Sequence, residues 1–104
     1  MNEQQILQHA ETVDSAALNA VEIAMLSGDG REIAIDDAYA IQSASIARRV
    51  SRGDAVVGMK MGLTSRAKME QVGVHEPIYG TLTSSMIVND GGIVRISELC
   101  HPRV

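Results

Sequence analysis

Apolar residues recur every three or four positions near the start of the chain, a spacing that is typical of an amphipathic helix. This pattern predicts a helix over residues 3–26, ended by the two glycines of residues 27–30. The apolar stripe of this helix consists of Ile6, Ala10, Val13, Ala17, Val21 and Ala24.

A second helix is predicted to begin near residue 35, with Asp36 as its N-cap and Gly53 at its end. Its predicted buried face consists of Ile41, Ala44, Ala47 and Val50. Its last turn carries Arg48, Arg49 and Arg52. Positive charge is favourable at the C-terminal end of a helix dipole, so we interpret these arginines as structural rather than ligand-binding.

The pattern changes to that of a strand in the second half of the chain. Residues 55–63 form a nearly continuous apolar run with β-branched residues at its start, which predicts a buried strand. Thr64 and Ser65 can then cap a short helix over residues 66–71, and Gly73 is its expected end.

A β-hairpin is predicted near the end of the chain. The Asn-Asp-Gly-Gly sequence of residues 89–92 is a strong turn signal between predicted strands over residues 82–88 and 93–96. Residues 75–77 are predicted to form a loop, and residues 97–100 a single helical turn.

The order of these elements indicates an α+β fold, in which N-terminal helices pack on a small mixed sheet. A chain of 104 residues has the usual size of one domain. We therefore expect a single domain over residues 1–104, helical in residues 1–53 and strand-rich in residues 54–104.

The composition excludes several classes of protein. The chain has no Phe, no Trp and a formal charge of −4, so it lacks the aromatic platforms and the basic surface of a nucleic-acid-binding protein. Its first residues show neither the basic nor the apolar region typical of a signal peptide, and no apolar run of about 20 residues that could span a membrane is present in the sequence. The lone Cys100 cannot form an internal disulfide, and we interpret it as buried and inert. We expect a cytoplasmic protein that binds neither nucleic acid nor membrane.

The charge is distributed unevenly along the chain. Residues 1–38 hold eight acidic residues and one basic residue, whereas residues 39–104 hold eight basic and five acidic residues. Two interpretations stay open: ordinary solvation of helix surfaces, or a second part that binds an anionic small molecule.

Lys60 is the unusual residue of the predicted strand, because methionines flank it on both sides. In a buried strand, desolvation would lower the pKa of this lysine and make it suitable for proton transfer. Its charged form could instead hold a carboxylate. A lysine at a strand edge that extends into water is an equally good interpretation.

The residues around Lys60 suggest contacts with a ligand but no metal site. Gly58 and Gly62 would allow close approach of a ligand or another segment of backbone. Thr64 and Ser65 could bind an anion at a helix N-terminus, although capping of the helix explains them equally well. His75 and His101 have no companion ligands at metal-binding spacing.

Two segments carry a family resemblance. The sequence Val-Gly-Met-Lys-Met-Gly-Leu-Thr-Ser-Arg-Ala-Lys-Met of residues 57–69 precedes Gly-Val-His-Glu-Pro-Ile-Tyr-Gly of residues 73–80. Together they closely resemble the 4-oxalocrotonate (2-oxo-3-hexenedioate) decarboxylases and the sister 2-oxopent-4-enoate hydratases, within the fumarylacetoacetate hydrolase superfamily. The resemblance extends from residues 36–39 to residues 101–104 and is weaker over residues 1–30.

The resemblance implies roles for particular residues. Lys60 corresponds to the family's active-site lysine, and Gly62, Thr64 and Ser65 correspond to the loop near the substrate. Ile78 stands where the hydratases have an aspartate that takes part in their chemistry, so the resemblance favours a decarboxylase.

The resemblance also implies a divalent metal, Mg²⁺ or Mn²⁺, that chelates the 2-oxo acid and acts as an electron sink. The acids that bind this metal in the family follow the segment of residues 101–104, so we expect the metal ligands beyond Val104 and none within this chain. Family members are considerably longer. We therefore expect the N-terminal part of such a fold, with the metal-binding C-terminal β-roll missing and with no activity in this chain alone.

The implied function is decarboxylation of 2-oxo-3-hexenedioate by a carbon–carbon lyase of aromatic meta-cleavage catabolism. A 2-oxopent-4-enoate hydratase and a non-catalytic piece that only folds and self-associates are the alternatives. The implied partners are a 2-oxo dicarboxylate substrate, further copies of the same chain, and the associated hydratase.

Overall fold

The computed structural model describes residues 1–28 and 30–103. The elements in chain order are α1 (Glu3–Leu18), α2 (Ile35–Ser51), β1 (Val56–Gly62), α3 (Arg66–Val72) and β2 (Ile78–Thr83), followed by the short 3-10 helices Ser84–Met86 and Ile96–Glu98. The two long helices form one layer, and β1 and β2 form a small antiparallel sheet beside it.

Helix α1 ends eight residues before the predicted position, so the helix predicted over residues 3–26 is too long. Ala20 adopts a left-handed conformation with φ of 53°. Its N–H donates to the carbonyl of Ala17, and the N–H of Val21 donates to the carbonyl of Ala16. This Schellman arrangement satisfies the last carbonyls of the helix. Because alanine rather than glycine occupies the left-handed position, the sequence contains no signal for this end.

Helix α2 begins and ends close to its predicted limits, but its cap differs. The N-cap is Ala34 and carries no side-chain hydrogen bond, so the prediction of Asp36 as the N-cap is wrong. Asp36 and Asp37 instead lie in the first turn, where negative charge is favourable beside the helix dipole. Gly53, with φ of 100°, ends the helix as expected.

A buried carboxylate joins α1 to α2. The side chain of Asp14 is 1% exposed and accepts hydrogen bonds from Arg48 Nε at 2.9 Å and from both terminal nitrogens of Arg52 at 2.6 and 2.8 Å. These bonds, above all the two from Arg52, lower the pKa of Asp14 to about 2 against the opposing effect of burial. The arginines are therefore structural, as expected, but they bind this carboxylate rather than merely solvating the end of the helix.

Helix α3 confirms its prediction, because Ser65 is the N-cap and Gly73 the C-cap. The predicted hairpin near the end of the chain is wrong. The second strand is Ile78–Thr83 and pairs with β1, whereas residues 87–95 belong to no helix or strand. The turn over residues 89–92 does form, with the Gly92 N–H donating to the Asn89 carbonyl.

The apolar core is small, and much of the apolar surface is exposed to solvent. The apolar residues buried among the described ones are Ala10, Ala16 and Ile41, fewer than the predicted stripes contain. The accessible surface is 8327 Å², against about 5,700 Å² for a folded monomer of this size. The radius of gyration is 15.1 Å, against about 13 Å for a compact domain. The apolar faces of this fold are therefore only partly covered.

Candidate functional site

Alternation along the two strands places Lys60, Gly62 and Ile78 on one face of the sheet. Lys60 lies opposite Gly80, and Gly62 lies opposite Ile78. Directly opposed residues of an antiparallel pair share a face, and so do residues two apart along a strand. The register therefore brings together three of the predicted site residues.

Gly62 and Ile78 are in close contact. A Cβ added at Gly62 would lie 3.2 Å from Ile78 Cγ1 and 3.5 Å from its Cδ1. A side chain at residue 62 would therefore crowd the isoleucine, which would have to shift by a few tenths of an ångström to make room for it. The approach of a ligand at Gly62 stays a prediction.

Lys60 is exposed on β1, and so are its neighbours Met59 and Met61, which are 53% and 55% exposed. The prediction that this strand is buried is therefore wrong for this chain. The role of this lysine in proton transfer stays a prediction.

Thr64 and Ser65 follow β1 after a left-handed residue. Leu63 has φ of 53°, which is strained for a large side chain and turns the chain sharply out of the strand. The hydroxyl of Ser65 accepts from the Lys68 N–H at 3.2 Å and caps α3, whereas Thr64 is exposed. The capping interpretation accounts for Ser65. Nothing in the sequence indicated the conformation of Leu63.

Helix α2 holds the outer edge of β2 through a side-chain amide. Gln42 Nε2 donates to the Tyr79 carbonyl at 3.1 Å, and Gln42 Oε1 accepts from the Thr81 N–H at 3.1 Å. The Tyr79 N–H donates to the Tyr39 hydroxyl at 3.3 Å, and the two tyrosine rings stack 4.2 Å apart. No local pattern in the sequence marks Gln42 or Tyr39, since these contacts span about forty residues of chain.

Asp54 ties the start of β1 to the end of β2. Its carboxylate accepts from the hydroxyls of Ser84 and Ser85 and from the N–H groups of Ala55 and Ser85. These bonds, led by the one from Ser84, hold the pKa of Asp54 well below its usual range. The cluster stabilises the strand pair at the end remote from Gly62 and Ile78.

The described residues, 1–28 and 30–103, contain no group of three or more His, Cys, Asp or Glu that could hold a metal ion. His101 Nε2 lies 3.1 Å from a carboxylate oxygen of Glu22 at the surface. Cys100 is exposed, so its interpretation as a buried thiol is wrong. Among the same residues, no helix is long and apolar enough to cross a bilayer.

Comparison with known proteins identifies relatives. The sequence matches no protein-family model. It is 45% identical over 104 residues to a 4-oxalocrotonate decarboxylase of Pseudomonas putida, a match that spans all of this chain and 39% of the relative. This chain is homologous to the 4-oxalocrotonate decarboxylases over its whole length. It spans well under half of their length.

Solved structures of the decarboxylase from Pseudomonas putida G7 agree with this assignment. The structure complexed with calcium and acetate matches 97% of this chain and 39% of its own, with 44% identity and a TM-score of 0.92. The structure complexed with magnesium and adipate matches 85% and 34%, with 42% identity and a TM-score of 0.80. The α+β class and the correspondence with the N-terminal part of the decarboxylase fold are confirmed.

Hydratases are also related, at lower identity. A 2-hydroxypent-2,4-dienoate hydratase of Pseudomonas putida is 42% identical over 79 residues, which span 75% of this chain and 36% of the hydratase. The relatives are thus lyases of two kinds, and the decarboxylases match more of this chain.

Proposed function

We propose that this chain forms the N-terminal part of a decarboxylase that acts on 4-oxalocrotonate, that is, 2-oxo-3-hexenedioate. The observation that carries the proposal is the match to the decarboxylases, 45% identical over the entire chain, with Ile78 in the site instead of a carboxylate. An apolar residue beside Lys60 supplies no second base, and the departure of a carboxylate as CO₂ requires none.

The chemistry assigns Lys60 a specific role within this proposal. When the distal carboxylate leaves as CO₂, the electron pair of the broken bond passes through the conjugated double bond to the 2-oxo group and gives a dienolate. The exposed ammonium of Lys60, with three donor hydrogens, is suited to bind the anionic substrate and to transfer a proton to that dienolate. Gly62, Thr64 and Ile78 would shape the surface that the substrate meets, and Ser65 would keep α3 in place beside it.

The nature of the substrate is supported by one relative. The Pseudomonas putida G7 enzyme has been captured with adipate, a six-carbon dicarboxylate of the same chain length as 4-oxalocrotonate. An excess of basic residues after residue 38 is suited to such a dianion.

The solved structures of the relatives hold a divalent metal, either calcium or magnesium. The described residues of this chain do not fit such an ion, because no acidic cluster is present among them. We therefore propose that Mg²⁺ or Mn²⁺ is bound by residues outside this chain.

A chimeric enzyme tests the proposal. In it, residues 1–104 replace the matching 39% of the Pseudomonas putida decarboxylase. We expect the chimera to release CO₂ from 2-oxo-3-hexenedioate and to hydrate 2-oxopent-4-enoate far more slowly. The intact relative is the positive control, and its remaining part without this chain is the negative control.

Two outcomes would contradict the proposal. Preferential hydration of 2-oxopent-4-enoate would establish the hydratase alternative. A folded chimera with neither activity would leave only the non-catalytic alternative, a chain that folds and self-associates. Association with further copies, association with the hydratase, and the cytoplasmic location stay predictions.

A further inference from the structure

The outer edge of β2 is bound by a side chain from outside the sheet. The backbone of Gly80, which pairs with Lys60, lies between the two groups that Gln42 binds, the Tyr79 carbonyl and the Thr81 N–H. One amide side chain thus forms the two hydrogen bonds that a neighbouring strand would otherwise make with this edge.

Two further contacts connect Gln42 with Ile78. Tyr79 follows Ile78 directly, and its N–H and its ring are both held by Tyr39 from the preceding turn of α2. Gln42 also lines, with Tyr39 and Ile78, a groove of about 660 Å³ between α2 and the loop before β2. Movement of β2 along α2 would therefore displace Ile78, and the sheet face that also bears Lys60, relative to α2 and to this groove.

We propose that Gln42 is a positioning residue that holds β2, and with it the sheet face of Ile78 and Lys60, on α2 in the position where both residues meet the substrate. The inference rests on the proposed decarboxylase function. It assigns Gln42 no contact with the substrate, and it explains why a half-buried glutamine lies in the middle of α2.

Substitution Gln42→Glu in the chimera separates this role from general stability. An ionised carboxylate has no donor for the Tyr79 carbonyl, whereas a protonated carboxyl group has a donor and an acceptor, like the amide. At pH 7.5 we expect kcat to fall at least about fivefold, the effect of one lost hydrogen bond, with a smaller change in KM. As the pH falls toward 5, the ratio of variant to parent kcat should rise again.

Two further variants serve as comparisons. Gln42→Met has similar size and neither hydrogen bond, so its kcat should be low at every pH. Gln8→Glu makes the same change of charge on the exposed surface of α1 and should match the parent throughout. Asp36, His75 and Glu76 line the same groove in all these proteins, so the ratio of variant to parent kcat removes their contribution.

Hydrogen exchange supplies a readout that does not depend on activity. Gln42→Met should accelerate exchange of the Thr81 amide, while amides within α1 exchange at the parent rate. The inference would be overturned if the Thr81 amide exchanged at the parent rate in Gln42→Met. It would also be overturned if the ratio of Gln42→Glu kcat to parent kcat did not change with pH. An inactive parent chimera would contradict the proposed function instead, and the exchange rate at Thr81 would then decide the inference.

Discussion

At the scale of single residues, the candidate site is characterised by the missing side chain of Gly62 and the missing carboxylate at Ile78, as well as by the ammonium group of Lys60. Gly62 has no side chain, and Ile78 fills the space that one would occupy. Ile78 has no carboxylate, so the ammonium of Lys60 is the ionisable group of this small face. The sequence did not single out Leu63, whose left-handed conformation follows the strand, or Gln42, whose side chain binds the outer edge of β2.

Lys60→Ala in the chimera should lower kcat for CO₂ release at least ~100-fold, because general acid–base groups contribute effects of that size. The measurement is the steady-state rate of CO₂ release. Lys68→Ala, a change of the same charge on the exposed surface of α3, is the matched control and should keep near-parental activity. Near-normal turnover without Lys60 would show that this lysine only extends into water.

At the scale of elements, two polar clusters hold together parts that share little apolar core. Asp14 fastens α1 to the end of α2, and Asp54 fastens the start of β1 to the end of β2. Both carboxylates gain hydrogen bonds on folding that lower their pKa. The stability of the helical pair and of the sheet should therefore decrease in acid for the same reason.

Asp14→Asn should destabilise the chain by about 2 kcal/mol, because hydrogen bonds to a charged group are lost while the half-exposed arginines remain hydrated. The measurement is urea unfolding followed by helical circular dichroism. The carboxylate contributes its stability above the unfolded pKa of about 3.9 and loses it as the pH falls through the folded pKa of about 2.

The difference in the free energy of unfolding between the parent and Asp14→Asn should accordingly be constant near neutral pH and should decrease between about pH 4 and pH 2. Glu11→Gln, on the exposed face of the same helix, is the control and should change little. A difference that is independent of pH over that window would contradict the assignment to the charged carboxylate.

At the scale of the whole molecule, the exposed apolar surface is the main feature. The accessible surface exceeds that of a compact monomer by roughly 2,700 Å², an area comparable with what a large, permanent interface buries. Ile93 is 84% exposed and Met25 82% exposed, and among the described residues β1 pairs with β2 alone. We expect such an apolar surface to be buried, either by the rest of a longer polypeptide or by further copies of this chain.

We expect the 104-residue chain on its own to self-associate and to bind a hydrophobic dye. Light scattering after size-exclusion chromatography should give a mass above that of one chain. The chimera, which supplies the remainder of the fold, should bind far less dye per molecule. A monodisperse monomer that binds no dye would show that residues 1–104 form a self-sufficient domain.

The sequence by itself determined the elements whose signals are local. The limits of α2 and α3, the presence of β1 and the lysine segment could be predicted, because caps, glycines and periodicity act within a few residues. Only the tertiary structure decided where α1 ends, which strand β1 pairs with, and that Asp14 and Gln42 hold the elements together. The hydrogen bonds of Asp14 and Gln42 join residues more than thirty positions apart, and β1 and β2 pair residues at least 16 positions apart, so the free energy of these contacts leaves no local pattern in the chain. The end of α1 is local, but it lies at an alanine in the left-handed conformation, which is not a residue that marks such an end.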